Sequence, residues 1–316
     1  MTTVDILMPY YGDVALMQEA VRSVLAQHDE RWRLTVVDDN PGDNPGDNPG
    51  GGGPEVVPAW FDTIDDDRVR YLRNAENLGL TGNFNRCLEL VEHDLAVLLG
   101  CDDRLLPGYV GTVLDAHAAV PDAGIIQPGV RVIGSDGRPA RTLVDEAKRR
   151  LYAPRCDGRT VMAGEELAVS LLRGDWLYFP SLAWKAAALE NVRFRPELRV
   201  IQDLALLMEL VEAGEKLVVD DTPAFEYRRH DASKSSATAF DGSRFVEAGD
   251  FFADTAGRMA AHGWPRAARV ARTHLSSRLF ALTMLPRALR SRAGVGPLTR
   301  HVFGPGRTSE KAGGKA

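Results

Sequence analysis

Two adjacent carboxylates, Asp102 and Asp103, close the apolar run VLLGCDDR. Oxygen ligands at a strand end can hold Mg²⁺ or Mn²⁺ while leaving positions open for a diphosphate. The same pair also suits a turn or cap between a strand and a helix, so other residues must arbitrate. Asp39 ends the run LTVVDDN, where its carboxylate can accept from a base imide or a ribose hydroxyl, or simply form a turn. Arg73, Asn77 and Gly79 lie in RNAENLG, ahead of a helix whose first amides could face an anion. Gln202 and Asp203 open IQDLALLMEL, where Asp203 reads either as an N-cap or as a general base beside an acceptor hydroxyl. His230 follows the strand-like FEYRR, a position from which a histidine can be structural or can ligate a metal.

The elements that would position these residues alternate in type. VDILMPY reads as a buried strand and VALMQEAVRSVLAQ as a helix with Leu16, Ala20, Val21, Val24 and Leu25 on one face. RLTVVDDN, RVRYLRN and DLAVLLG read as further strands, and TGNFNRCLELVE as the helix between the last two. Such alternation predicts an α/β fold with a mostly parallel sheet flanked by helices. Its ligand crevice lies beyond the carboxyl ends of the strands. Pro9 to Tyr11, Asp38 to Asn40, and Asp102 with Asp103 all stand at such ends. Further along, residues 124–151 read as strands and turns, AGEELAVSLLRG and DLALLMELVEAG as helices, and KLVVDD with AFEYRRH as a strand pair.

Composition excludes several classes. At 316 residues, with 44% hydrophobic and 26% charged residues and a net charge of −6, the chain reads as an ordinary globular protein whose global charge names no partner. Cys87, Cys101 and Cys156 are odd in number and widely spaced, which speaks against a disulfide framework or a zinc site and fits a reducing cytoplasm. The N-terminus shows no basic region followed by a long apolar core, and no apolar run reaches the roughly 18 residues of a membrane span. The repeat DNPGDNPGDNPGGGG, residues 39–53, has turn composition and nothing to bury, so a mobile loop is expected over residues 40–54. It matches no EF-hand pattern. From Trp264 onward Glu310 is the only acid among recurring arginines and lysines. RVARTHLSSRLFALTMLPRALRSR mixes leucines with arginines as an interfacial helix would, and as a helix packed on the main domain also would.

In order and context these motifs resemble the bacterial family 2 glycosyltransferases of the GT-A fold. ILMPYYGD is similar to the family's opening strand, LTVVDDN to its nucleoside-binding strand end, and RNAENLGLTGNFNRCLEL to its N-x-G loop and helix. LLGCDDR is similar to its metal-binding acidic motif, IQDLALLMEL to its catalytic-acid helix, and YRRHDASKS to its late histidine motif. The resemblance spans roughly Val4 to Ser236. It implies that Pro9, Tyr10, Tyr11, Asp39, Arg73, Asn77, Gly79, Asn83 and Asp102 bind the nucleotide sugar, with Asp39 on the base. It further implies that Asp103 and His230 hold a divalent cation, Mn²⁺ or Mg²⁺. Asp203 would be the base, with Trp176 and Gln202 in the acceptor pocket. Two departures stand out: Cys101-Asp102-Asp103 replaces the usual D-x-D, and Gln202 stands where glutamate commonly precedes the catalytic aspartate.

The expectation is therefore an inverting, metal-assisted transferase in residues 1–240, a basic helical extension in 241–304 and a disordered tail in 305–316. Donor and acceptor would be a nucleotide diphosphate sugar and a saccharide, lipid-linked or small-molecule hydroxyl, with no role for nucleic acid. A cytoplasmic location, peripheral to the membrane through the basic helix, goes with it. A nucleotidyltransferase would call for a glycine-rich basic loop after the first strand, where this chain has PYYGDVAL. A non-catalytic nucleotide-sugar or carbohydrate-binding protein would keep the fold without turnover.

Overall fold

The computed structural model describes residues 1–40, 55–140, 151–229, 243–291 and 294–304. The Asp-Asn-Pro-Gly repeat from residue 41, His230 and the tail from residue 305 lie outside them, and with them the expectations of a mobile loop, a histidine metal contact and a disordered end.

In chain order the elements are β1 (Val4–Tyr10), α1 (Val14–Leu25), β2 (Trp32–Asp38), α2 (Val56–Phe61), β3 (Val69–Arg73), α3 (Gly79–Glu89), β4 (Leu95–Leu98), β5 (Arg104–Leu105) and α4 (Tyr109–Ala119). They continue with β6 (Ala123–Ile133), β7 (Arg159–Met162), α5 (Gly164–Arg173), β8 (Ala183–Lys185), α6 (Ala186–Leu189), α7 (Gln202–Glu212) and β9 (Lys216–Arg228). Four helices close the described chain: α8 (Ser243–Ala261), α9 (Pro265–Thr273), α10 (Leu275–Ser291) and α11 (Val295–Phe303).

The strands form one sheet in the order β3-β2-β1-β4-β8-β6-β9-β5, with β7 also on β9. The first four run parallel, as the alternation of elements predicts. β8 runs antiparallel to both β4 and β6, and β5 and β7 antiparallel to β9, so the whole sheet is mixed. Two antiparallel steps restore direction: β6 and β9 point the same way as β1 to β4, and Arg228 emerges on the same edge as Asp38 and Leu98.

Alternation within each strand divides the apolar residues between two cores. Val4, Ile6, Met8 and Tyr10 of β1 pack with Met17, Ala20, Val21 and Val24 of α1 on one face, while Leu7 joins α5 and α7 on the other. Asp13 starts α1 by accepting from the amides of Ala15 at 2.8 Å and Leu16 at 3.1 Å, an N-cap that closes the turn after β1.

The expected strand pair after α7 is one continuous strand, β9. Pro223 sits where the register with β6 shifts, opposite Gly129. A Cβ on Gly129 would lie 2.6 Å from the carbonyl oxygens of Asp221 and Thr222, so glycine permits the close approach that carries the strand through the irregularity. The C-terminal helices are docked rather than set apart. Phe251, Phe252, Ala256 and Met259 of α8 and Ala267, Ala268 and Ala271 of α9 share the core that contains Leu7 and Trp184. Glu165 accepts from the amides of Arg266 and Ala267, and Glu247 from those of Arg199, Val200 and Ile201, tying both helices to the sheet domain.

Candidate active site

Parallel register brings the polar strand ends onto one edge: Tyr10 stands opposite Asp38, and Asp38 opposite Arg73. Asp39 is 2% exposed, and its Oδ1 accepts from Asn74 Nδ2 and from the Leu78 amide, each at 2.8 Å. Asn77 Nδ2 donates to the Asp39 carbonyl at 2.9 Å. Asn74 Nδ2 also reaches Asn83 Oδ1 at 3.1 Å, and Asn83 Nδ2 donates to the Val37 carbonyl at 3.0 Å. The Asn77 side chain accepts from the Gly79 amide, and Gly79 takes a φ of +70°, a left-handed conformation that favours glycine. Asp39, Asn77, Gly79 and Asn83 therefore form one hydrogen-bonded strap between β2 and α3. Asn74, not among the expected site residues, is its centre; its only signal is the first asparagine of RNAEN.

Asp38 lies beneath this strap, bonded at 2.5 Å to the Tyr71 hydroxyl and 3.5 Å from Arg73 Nε. Burial raises its carboxyl above the usual range, with the Tyr71 hydrogen bond opposing. Tyr10 is buried and donates to the Gly12 carbonyl at 2.8 Å, while Tyr11 is 40% exposed beside it.

The second group lies past β4. A Cβ on Gly100 would sit 2.5 Å from Asp103 Oδ2 and 3.1 Å from Asp102 Oδ1, so the bare glycine leaves the space into which both carboxylates turn. Asp103 is 1% exposed, and its Oδ1 accepts from the Arg228 amide at 2.8 Å. Its carboxyl is pushed well above the usual range, first by burial and then by the like charge of Asp102. Arg228, 4% exposed, donates Nε to the Asp102 carbonyl at 2.7 Å and pairs through Nη2 with Glu19 at 2.7 Å. Glu19 also pairs with Arg104, which pairs with Glu226. Neither Glu19 nor Arg228 was a site candidate; their partners lie up to 209 positions away. Burial pushes the Cys101 thiol up to about 12, which leaves it protonated at neutral pH.

Among the described residues no three His, Cys, Asp or Glu side chains are placed to hold a metal ion. The convergent oxygens of Asp102 and Asp103 suit a hard cation that takes one or two carboxylates and completes its shell with water and phosphate. The donor set fits an open site and not a closed protein cage.

Asp203 is the second residue of α7, whose N-cap is Ile201, so it does not occupy the N-cap position that its place in the sequence allowed. Its Oδ1 accepts from the Leu204 amide at 2.8 Å, and Arg244 of α8 lies within its electrostatic reach. Gln202 Oε1 accepts from Thr81 Oγ1 at 3.0 Å, joining α7 to the helix that carries the strap. Trp176 is 8% exposed, belongs to the core around α5 and α7, and donates Nε1 to Ser170 Oγ at 3.1 Å.

The mixed sheet with flanking helices and a polar edge at its carboxyl ends is the GT-A architecture. It is similar to S. aureus TarS 1–349 in complex with UDP, with a TM-score of 0.63 and 12% identity over 95% of this chain and 81% of that one. The same region of TarS in complex with UDP-GlcNAc gives 0.58 and 11% over 95% and 90%. Residues 5–161 match the model of Glycosyl transferase family 2, and the chain belongs to that family. It is 24% identical over 241 residues to the succinoglycan biosynthesis protein ExoO of Rhizobium meliloti (strain 1021), covering 75% of this chain and 64% of that protein. An uncharacterized protein of Mycobacterium tuberculosis (strain CDC 1551 / Oshkosh), MT1568, is 32% identical over 133 residues, or 42% of this chain and 38% of that protein. The chain thus spans less than two thirds of the length of either relative.

Proposed function

We propose that the chain is an inverting glycosyltransferase that moves a sugar from a nucleotide diphosphate sugar to an acceptor hydroxyl. The observation that carries this reading is the shared edge from which the Asp39 strap and the Asp102–Asp103 pair emerge, in a chain of family 2. Asp39, held by Asn74 and the Leu78 amide, presents a fixed carboxylate to the base, with Pro9, Tyr10, Tyr11 and Arg73 around the nucleoside. Asp102 faces the ribose and diphosphate. Asp102 and Asp103 would hold Mn²⁺ or Mg²⁺, which when bound neutralises charge on the departing diphosphate.

Asp203 takes the proton of the acceptor hydroxyl as its oxygen attacks the anomeric carbon from the face opposite the diphosphate. The bond from that carbon to the diphosphate oxygen breaks and the configuration inverts. One base and one displacement suffice, without the two-carboxylate scheme of a retaining hydrolase. Gln202, next to Asp203 at the start of α7, and Trp176 would shape the acceptor pocket. The UDP and UDP-GlcNAc bound to TarS make a uridine diphosphate hexose the first donor to try, and the role of ExoO in succinoglycan biosynthesis favours a saccharide acceptor.

A thermal-shift screen of UDP, GDP, dTDP and CDP sugars with and without Mn²⁺ tests the donor, because a ligand that binds the native state raises its melting temperature. One nucleotide should stand out, with a larger shift when Mn²⁺ is present. No shift with any of them removes the nucleotide-sugar reading.

A further inference from the structure

Helix α10 has two unlike faces. Ala281 and Ala288 are buried against Phe245 and Leu298, closing a small core between α8, α10 and α11. Leu275, Leu279, Leu282 and Leu289 fall four, three and seven residues apart, one stripe of the helix, and they are 63%, 51%, 44% and 62% exposed. Phe280, at 41%, flanks the stripe, and Phe303 of α11, at 72%, lies beside its first turns, because Arg278 donates to the carbonyls of Val302 and Gly304. Single exposed leucines are ordinary, whereas a continuous apolar stripe on a docked helix marks a surface that meets something.

The charge of the C-terminal segment that carries the stripe selects the partner. Residues 264–316 hold eleven of the chain's 38 lysines and arginines and one of its 44 acids, against a net charge of −6 for the whole. Arg266, Arg269, Arg272, Arg290 and Arg300 are exposed. Leucine and phenylalanine flanked by arginine, with acids lacking, is the composition of a helix that lies in a bilayer interface and is drawn there by anionic headgroups. Among the described residues no helix is long and apolar enough to cross a membrane.

We infer that the exposed face of α10, with Phe303, is a docking surface for an anionic phospholipid bilayer. Leu275, Leu279, Leu282 and Leu289 enter the headgroup boundary and exposed arginines of the same segment meet the phosphates. Arg244 lies over the Phe280 ring at 5.2 Å and also within reach of Asp203, so α10 itself stands on the Asp203 flank.

Flotation of the full chain with phosphatidylcholine vesicles, with and without phosphatidylglycerol, tests this inference. The wild type should float with the anionic vesicles and be released by high salt. Leu275→Glu/Leu289→Glu should reduce recovery by at least about tenfold while its circular dichroism and melting temperature stay at wild-type values. Arg290→Gln/Arg300→Gln should weaken binding to anionic vesicles and leave the weak binding to neutral ones unchanged. Equal wild-type recovery from both vesicle types, or no recovery from either, overturns the inference, as does wild-type binding by the leucine variant. A wild-type dimer in light scattering that Leu275→Glu/Leu289→Glu converts to monomer also overturns it, since the stripe would then join two copies of the chain.

Discussion

The strand-end edge and the C-terminal helices solve opposite problems. At the edge, Asp39, Asn74, Asn77 and Asn83 bond to one another, and Asp103 and Arg228 are buried and paired, so the polar groups are set in place before any ligand arrives. Along α10, large apolar side chains stay exposed, and among the described residues only Ala281 and Ala288 of the helix are buried. Fixed polar geometry suits recognition of one small molecule, whose charge must be met without reorganisation. An exposed stripe suits a broad, fluid surface. The difference teaches that stability and exposure are assigned by region, and substitutions in the two should differ accordingly.

The largest expected effect is at Asp203. Asp203→Asn keeps the size and the hydrogen bond to the Leu204 amide but removes the base, so turnover should fall by about 10²–10⁴-fold with donor affinity unchanged in calorimetry. Equal losses of affinity and rate would place Asp203 in donor binding instead. Next is Arg228→Leu, which leaves Glu19 short of a partner and frees the Asp102 carbonyl. Glu19 is partly exposed and keeps Arg104, so the loss should be on the order of 2–3 kcal/mol, to be read from urea unfolding. Asn74→Ala should cost less, about 1–3 kcal/mol, because it strips a hydrogen bond from the buried Asp39. It should also weaken nucleotide binding.

The helical region should instead respond to pH. His301 is held down to about 4, chiefly by burial and then by His274. Its folded pKa lies below its ordinary 6.5, so the unfolded chain takes the proton first as pH falls. The contribution is complete above about pH 6.5 and is lost between there and about 4. Melting curves of wild type and His301→Gln should therefore converge as pH falls through that window. The smallest effect belongs to the stripe: Leu282→Ser should change stability by no more than about 1 kcal/mol, since nearly half of the residue is already in water.

Much of this was legible in the sequence wherever chemistry coincides with a change of period. Apolar runs that stop at Pro9, Asp38 and Leu99 place the polar edge, because a strand buried on both faces must end before its polar residues. The stripe of α7 was equally plain, with Leu204, Leu207, Leu210 and Val211 all buried. Long-range pairing was not legible. Nothing local connects Glu19 to Arg228 or Asn85 to Phe194, because those bonds exist only after the sheet has brought distant segments together. The short helix α2 and strand β7 carry too few residues for a period to show, and the continuity of β9 through Pro223 depends on the absent side chain of Gly129.

The measurement that tests the central claim most directly is the anomeric configuration of the sugar released when the donor found in the screen is turned over with water as acceptor, followed by proton NMR before mutarotation. A single displacement guided by Asp203 predicts a first-formed sugar of inverted configuration, and no release by Asp203→Asn. Retained configuration, or equal release by the variant, would contradict the account.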